Sequence, residues 1–184
     1  NVALFGRIED LWSRRASLGL SPEQERVLML TRRDFIRAGA KLTGAEAARM
    51  AEIKSQLASL GTTFMQNLLA DERDWALPLK ADDLAGLPDF VLQAAEAAGQ
   101  EKGLDGPVVT LSRSLIVPFL EFSDRRGLRE TAYKAWAARG ANGGETDNRA
   151  IVSETLRLRQ EQTALLGYKS FSEFKLETQM AKTP

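Results

Sequence analysis

Two adjacent pairs of carboxylates, Asp71-Glu72 and Asp82-Asp83, are the residues that could most readily supply a general acid and a general base. Neighbouring side chains on a helix or a strand do not face one another, so neither pair is placed to act on one substrate. We therefore interpret both pairs as solvated charges at the ends of helices.

The sequence contains no histidine and no cysteine. This excludes histidine general bases, Ser-His and Cys-His nucleophile pairs, thiolate chemistry and histidine-ligated zinc. We predict no catalytic, cofactor-binding or metal-binding residue in this chain, and the substrate-binding residues stay unassigned.

Basic residues cluster at Arg125-Arg126 and Arg129, where guanidinium groups could bind phosphate or a substrate carboxylate. The alternative is a solvated helix start, with the positive charges balanced by Asp124 and Glu130. We favour the alternative.

A second charged group combines Arg157 and Arg159 with Glu154 and Glu161. Glu154 lies three residues before Arg157 and Glu161 lies four residues after it, which are spacings that bring side chains together on a helix surface. We predict surface ion pairs here.

Aromatic and glycine residues offer two weaker candidates for binding. Trp12, Trp75 and Trp136 could form ligand platforms, although tryptophans more often anchor a core. The run Gly140-Ala141-Asn142-Gly143-Gly144 is the most flexible stretch by composition. Gly143-Gly144 could be a hinge or a substrate-contacting loop, although most such loops only connect helices.

The composition is that of an ordinary globular protein, with 43 % hydrophobic and 27 % charged residues in 184. Lys and Arg total 25 and Asp and Glu total 25, so no net field favours nucleic acid or acidic lipid as a partner. No apolar run approaches the roughly 20 residues of a membrane span. We expect one helical subdomain over residues 1–184, located in the cytoplasm and without a membrane partner.

Apolar residues recur at steps of three and four in most of the chain, which predicts amphipathic helices. The expected bounds are about 2–16, 22–38, 44–68 or beyond, 88–99, 118–122, 128–139 and 171–181, with another helix that Asp147 caps and Gly167 ends. Capping boxes at Ser21–Gln24, Thr43–Glu46 and Ser170–Glu173 mark three of the starts.

The clearest periodic segment is an apolar seam formed by Met50, Ile53, Leu57, Leu60, Phe64 and Leu68. The steps of three and four resemble a coiled coil, so we expect this seam to be buried against the preceding helix in an antiparallel hairpin. A small two-stranded ribbon over about residues 75–80 and 108–111 is the best β candidate. The fold class is therefore mainly α, with helix hairpins and a bundle.

Six sequence stretches resemble the zinc metallopeptidase family that contains bacterial peptidyl-dipeptidases, oligopeptidase A, thimet oligopeptidase and neurolysin. They occur in one order along nearly the whole chain and comprise Leu18–Glu23, Arg32–Ala40, Phe64–Asp71, Leu84–Pro88, Leu165–Tyr168 and Gln179–Pro184. Of these, Asn67–Asp71, Ala85–Pro88 and Gln179–Pro184 favour the peptidyl-dipeptidases over the endo-acting relatives.

The resemblance implies a helical ellipsoid with a deep channel and release of C-terminal dipeptides from short peptides. In that family the zinc lies on a His-Glu-x-x-His helix with a further Glu, C-terminal to the matched region. Zinc is thus implied for a longer parent enzyme, while this chain would supply channel wall and be inactive alone. Both ends, Asn1 and Pro184, are interpreted as lying inside that longer protein.

The partners implied are the remaining catalytic part of the parent and short peptides as its substrates. An exposed docking face could also produce a homodimer. The alternative function is a freestanding helical module that binds a protein or a peptide without enzymatic activity.

Overall fold

The structure is a computed structural model that describes residues 2–184 of the chain. Within these residues eight helices account for most of the chain, which confirms the mainly α fold class. They are α1 (Val2–Arg14), α2 (Pro22–Arg37), α3 (Gly44–Asp74), α4 (Asp89–Glu101), α5 (Arg113–Phe122), α6 (Arg126–Ala137), α7 (Arg149–Leu165) and α8 (Phe171–Leu176).

The predicted ribbon is confirmed as two short strands, β1 (Leu77–Pro78) and β2 (Val108–Val109). They pair antiparallel, with Leu77 opposite Val109 and Pro78 opposite Val108. An isolated two-stranded ribbon is marginal in water, and here both valines are completely buried, so packing stabilises the ribbon.

The contacts of the chain divide it into two compact units. The first comprises the residues up to Ser59 together with Glu154–Pro184, and the second comprises Leu60–Ser153. The boundaries fall inside α3 and α7, so both helices contribute to both units. The single subdomain over residues 1–184 stays a prediction.

An antiparallel hairpin of α1 and α2 opens the first unit. The rings of Phe5 and Phe35 stack with centroids 6.0 Å apart, and Arg32 Nε lies 2.7 Å from Glu9 Oε1. The start of α1 therefore lies beside the end of α2. The expectation that α2 forms its hairpin with α3 was wrong, because α2 packs against α1 instead.

The apolar seam of α3 faces inward, although its burial is uneven. Met50 and Ile53 are buried, with 4 % and 0 % exposure, whereas Leu57, Leu60, Phe64 and Leu68 are half-buried. The helix continues through Gly61-Thr62-Thr63, as predicted.

The core of the second unit lies among α4, β2, α5 and α6. Its completely or almost completely buried apolar residues are Val91, Ala95, Val109, Leu111, Leu115, Ile116, Phe119 and Ala132. Burial of this surface is the main stabilising contribution to the unit.

Helix α5 begins five residues before its predicted start at Pro118. Pro118 lies inside the helix, where it removes one backbone hydrogen bond. Leu115, Ile116 and Phe119 are buried on one face of α5, and this burial offsets the missing bond.

Helix α8 ends at Leu176 rather than near Ala181. The guanidinium of Arg37 donates to the carbonyl of Phe174, with 2.7 Å between Nη2 and O. This bond satisfies a carbonyl at the end of the helix that a further helical turn would otherwise satisfy. The helix starts as predicted, since the hydroxyl of Ser170 accepts from Glu173 N at 3.1 Å. The Glu173 carboxylate, however, accepts from Lys169 N and not from Ser170.

The two other helices with a predicted capping box begin at the expected positions. The box at Ser21 and Gln24 is complete, with Pro22 at the first helical position, and α3 begins directly after Thr43. Among the described residues, no helix is both long and apolar enough to cross a lipid bilayer.

Candidate functional site

The segment Gly140–Asn148, here called the glycine loop, joins α6 to α7 and is bonded to one carboxylate of α3. Asp71 accepts the backbone N–H of Gly140 at 2.7 Å and the side-chain amide of Asn142 at 2.9 Å. The hydroxyl of Thr146 donates to the same carboxylate. A single side chain therefore binds residues in both halves of the loop.

A buried asparagine completes the attachment of the glycine loop. Asn148 is 2 % exposed, and its amide nitrogen donates to the carbonyl of Phe64 at 3.1 Å. Its amide oxygen accepts from Asn67 Nδ2 at 2.9 Å, and its backbone N–H donates to Gly140 O at 2.7 Å. Buried polar groups need partners of this kind, so Asn148 specifies the path of the chain into α7.

Two glycines of the loop adopt backbone angles that other residues rarely take. Gly140 has φ of 68° and Gly143 has φ of 78°. The N–H of Gly143 donates to Asp147 Oδ2 at 2.8 Å, and the N–H of Gly144 donates to Asn142 Oδ1 at 3.0 Å. The exposed tip is thus shaped by the loop's own side chains.

Opposing effects act on the pKa of Asp71. Burial raises this pKa, but hydrogen bonds from Thr146, from Gly140 N–H and from Asn142 lower it, and together they keep it below the ordinary value. The pKa of Asp147 is also lowered, first by the side-chain hydrogen bond from Arg149. Both carboxylates are therefore charged acceptors that stabilise the loop.

The two candidate carboxylate pairs do not form acid/base couples. Glu72 binds Arg139 while its neighbour Asp71 binds the glycine loop. Asp83 accepts the N–H of Lys80 at 2.9 Å, and the backbone carbonyl of Asp82 accepts from Arg125. Local backbone and arginine contacts thus account for these residues.

A cavity of about 270 Å³ lies beside the base of the glycine loop. Its lining residues are Asp71, Asp74, Trp75, Leu111, Ala135, Ala138, Arg139 and Asn142. Asp71, Arg139 and Asn142 already bond to other protein groups, and Asp74 pairs with Arg73 at 2.6 Å. The polar groups of this cavity are therefore engaged within the protein.

The tryptophans behave as anchors. The ring of Trp12 lies against the guanidinium groups of Arg15 and Arg32, at 4.3 and 5.0 Å. Trp75 and Trp136 are half-buried and pack against the core of the second unit. The packing of Trp75 and Trp136 agrees with their interpretation as core anchors, whereas the contacts given for Trp12 are with arginine side chains.

The predicted surface pairs of α7 are confirmed for Arg157, which contacts Glu154 at 2.7 Å and Glu161 at 3.1 Å. Glu161 also binds Arg49, with 2.5 Å between Oε1 and Nε. Arg159 was expected to join these pairs, but its guanidinium lies 4.9 Å from the ring centroid of Phe171. Arg159 lies two residues from Arg157 and so projects elsewhere on the helix.

One polar cluster in the first unit could not be predicted from the sequence. Arg37 binds the Glu177 carboxylate, the hydroxyl of Tyr168 at 3.2 Å and the ring of Phe174 at 4.0 Å. Burial, followed by the hydrogen bond to Glu177, raises the pKa of Tyr168. These partners are more than 130 residues from Arg37, so no local pattern reveals them.

Comparison with known proteins supplies the family. Residues 119–184 match the model of Peptidase family M3. The whole chain is similar to dipeptidyl carboxypeptidases, with 34 % identity to that of Escherichia coli and 37 % to that of Salmonella typhimurium, and 88 % of it is 35 % identical to oligopeptidase A of Haemophilus influenzae. Residues 119–184 therefore resemble peptidase family M3, and the whole chain is similar to dipeptidyl carboxypeptidases.

The chain spans about a quarter of the length of these relatives, namely 27 % of each dipeptidyl carboxypeptidase and 24 % of the oligopeptidase A. The similarity to these peptidases therefore concerns one portion of their length.

Zinc, the metal of M3 peptidases, does not fit the residues of this chain. Structural and catalytic zinc sites use His, Cys, Asp and Glu, and this sequence has no His and no Cys. Within residues 2–184, the carboxylates nowhere converge in a group of three or more that could hold a metal ion.

Proposed function

We propose that this chain is a scaffold segment of an M3 zinc peptidase that releases dipeptides from the C-termini of short peptides. The observation that supports it is the similarity of the full chain, at 34 % and 37 % identity, to two dipeptidyl carboxypeptidases. The stretches Asn67–Asp71, Ala85–Pro88 and Gln179–Pro184 carry the resemblance to that subgroup.

In this proposal the zinc and its ligands come from another part of a longer polypeptide, and the present segment contributes wall and rim to the peptide channel. The glycine loop suits a rim, because Asp71 and Asn148 fix its ends while Gly143 and Gly144 stay exposed. A fixed rim can position a peptide backbone without the entropy cost of ordering a mobile loop. The segment alone binds no catalytic zinc and releases no dipeptide.

The test compares the 184-residue chain with a longer polypeptide that carries a His-Glu-x-x-His motif. Zinc content is measured by atomic absorption and dipeptide release by chromatography of products from short peptides. We expect zinc and dipeptide release only in the longer protein. Zinc-dependent dipeptide release by the 184-residue chain alone would overturn the proposal, and release of longer products by the longer protein would assign it to the oligopeptidases.

The role of the loop is tested in the same longer protein with Asp71→Asn and, as its control, Asp74→Asn. Both changes remove one carboxylate from the last turns of α3, but Asp74 forms its ion pair with exposed Arg73 and, within residues 2–184, makes no hydrogen bond with the loop. We expect Asp71→Asn to raise KM for peptides severalfold while Asp74→Asn leaves it unchanged. Equal KM values in both variants would remove the loop from the substrate channel.

If the alternative function is right, a helical module without enzymatic activity, neither protein releases dipeptides. A peptide would then bind to the 184-residue chain without being cleaved, and no metal would change its affinity.

A further inference from the structure

Three arginines, Arg125, Arg126 and Arg129, occupy the start of α6 and are here called the arginine cluster. The first turn of α6 contains no acidic residue, and Arg125 at the N-cap makes no side-chain cap. Positive charges are unfavourable at the positive end of a helix dipole. The cluster therefore departs from the local preference of a helix start, and such departures are expected at functional or strained sites.

No carboxylate neutralises the arginine cluster within the described residues. Arg125 donates to the carbonyl of Asp82 at 2.7 Å, and Arg129 donates to the carbonyl of Ser123. The side chain of Arg126 makes no ion pair and no hydrogen bond among residues 2–184. The balance that we expected from Glu130 is absent, because Glu130 pairs with Lys134 at 2.5 Å. Asp124 likewise makes no ion pair with the cluster.

The cluster borders a cavity of about 340 Å³. Its lining residues are Leu120, Arg126, Arg129, Glu130 and Tyr133. Arg126, Arg129 and Tyr133 recur at steps of three and four, so they lie on one face of α6. Tyr133 is 58 % exposed and adds a phenolic hydroxyl to the lining of the cavity.

We propose that this cavity binds the terminal carboxylate of a peptide, an inference that rests on the proposed function. A guanidinium group donates two parallel hydrogen bonds to a carboxylate, and the planar geometry of arginine makes it better suited than lysine to this task. Arg126 is the principal donor, since its guanidinium has no ion-pair or hydrogen-bond partner among residues 2–184. Arg129 adds charge, and Leu120 contacts the terminal side chain. A volume near 340 Å³ is at the small end of ligand pockets and fits one terminal residue.

The experiment is a titration of the isotope-labelled 184-residue chain with the tripeptide Ala-Ala-Phe, followed by the amide NMR signals of α6. Two further probes are the same peptide with an amidated C-terminus and an amidated peptide in which the central residue is aspartate. The protein variants are Arg126→Gln and the control Arg113→Gln. Both arginines are exposed, begin a helix and make no ion pair among the described residues, but Arg113 does not line the cavity.

We expect a saturable shift of the α6 signals with the free tripeptide. The dissociation constant should rise at least about tenfold for the amidated peptide and for Arg126→Gln, as the loss of a charge-assisted hydrogen bond predicts, and stay unchanged for Arg113→Gln. Equal affinity in Arg126→Gln and Arg113→Gln, or shifts that do not saturate, would overturn the inference. Equal binding of the amidated aspartate peptide would assign the cavity to acidic side chains, including those of another protein segment, and would also overturn it.

Failure of this inference leaves the proposed function intact if the longer polypeptide still releases dipeptides. Failure of the proposed function is instead recorded by the absence of dipeptide release, whatever the affinity of the cavity for tripeptides.

Discussion

The carboxylate of Asp71 accepts the backbone N–H of Gly140, with 2.7 Å between Oδ2 and N, and these residues are 69 positions apart. The same carboxylate binds Asn142 and Thr146, so one helix residue fixes a loop of nine. We expect Asp71→Asn to lower the free energy of unfolding by about 1.5–3 kcal/mol, because charge-assisted bonds are lost and an amide nitrogen faces donors. Urea unfolding monitored by tryptophan fluorescence measures this change, and Asp74→Asn, with a cost below about 0.5 kcal/mol, is the control.

The stability contributed by Asp71 should depend on pH in a defined direction. Its pKa in the folded protein is lowered, so its contribution is complete above the ordinary aspartate pKa of about 3.9 and is lost as pH falls through the lower, folded value. The difference in unfolding free energy between wild type and Asp71→Asn should therefore be constant from neutral pH to about pH 5 and shrink below about pH 4. Subtracting the variant removes the contributions of Asp147 and Glu161, whose pKa values are lowered too. A difference that grows toward acid would contradict the assignment.

Alanine substitutions at Gly140 and Gly143 distinguish the cost of backbone strain from the cost of steric crowding. Both have positive φ, so alanine at either position costs about 1 kcal/mol of strain. A Cβ at Gly140 would lie 2.9 Å from Asn148 Nδ2 and 3.0 Å from Leu68 Cδ2, whereas at Gly143 nothing lies closer than 3.8 Å. We expect Gly140→Ala to cost about 2–4 kcal/mol and Gly143→Ala about 1 kcal/mol. Thermal unfolding of the two variants gives the comparison, and similar melting temperatures would show that Gly140 is not crowded.

Arg37→Lys should destabilise the first unit although it keeps the charge. The Arg37 side chain is 12 % exposed and reaches Glu177, Tyr168 and the Phe174 carbonyl at once, which a single ammonium group cannot do. We expect a loss of about 1–3 kcal/mol. The matched variant is Arg33→Lys, since Arg33 pairs only with exposed Asp34, and it should cost below about 1 kcal/mol. Hydrogen exchange of α8 should rise in the first variant and not in the second.

The apolar seam of α3 gives a graded prediction. Full burial of Leu57 would have implied a cost near that of any core leucine, but Leu57 is half-buried while Ile53 is completely buried. Ile53→Ala should therefore cost about 2–5 kcal/mol and Leu57→Ala clearly less. Urea unfolding of both variants distinguishes them, and a larger cost at Leu57 would mean that this side chain is covered by more than the described contacts.

The parts of the fold that could be predicted from the sequence are those determined by close neighbours in the chain. Ser21 and Gln24 are three residues apart, so their capping box follows from residue types alone. The partnership of Asp71 with Gly140 depends on a tertiary path that no local pattern encodes. The start of α5 was missed because the Pro118 signal is local, whereas the burial that overrides it comes from residues distant in the chain.

The candidate site shows the same division. The sequence singled out the glycine run and the arginine cluster, and it predicted that Asp124 and Glu130 balance the charge of that cluster. In the structure Glu130 instead forms an ion pair with Lys134, four residues further along the same helix. Glu130 lies four residues from both Arg126 and Lys134, and the observed pair has the acidic residue first, which is the more favourable order on a helix.

The hydrogen bond between Asn142 and Asp71 also makes the geometry of the glycine loop sensitive to deamidation of Asn142. Asparagine is thermolabile, and Asn142 precedes Gly143, whose backbone nitrogen is the least hindered attacker of a neighbouring side-chain amide. In the folded loop that nitrogen donates to Asp147, and the amide of Asn142 is bonded at both of its ends. Deamidation would replace the donor at 2.9 Å from Asp71 by a second negative charge, and repulsion would then separate the loop from α3. The chemical lifetime of one amide group thus limits the lifetime of the loop's geometry.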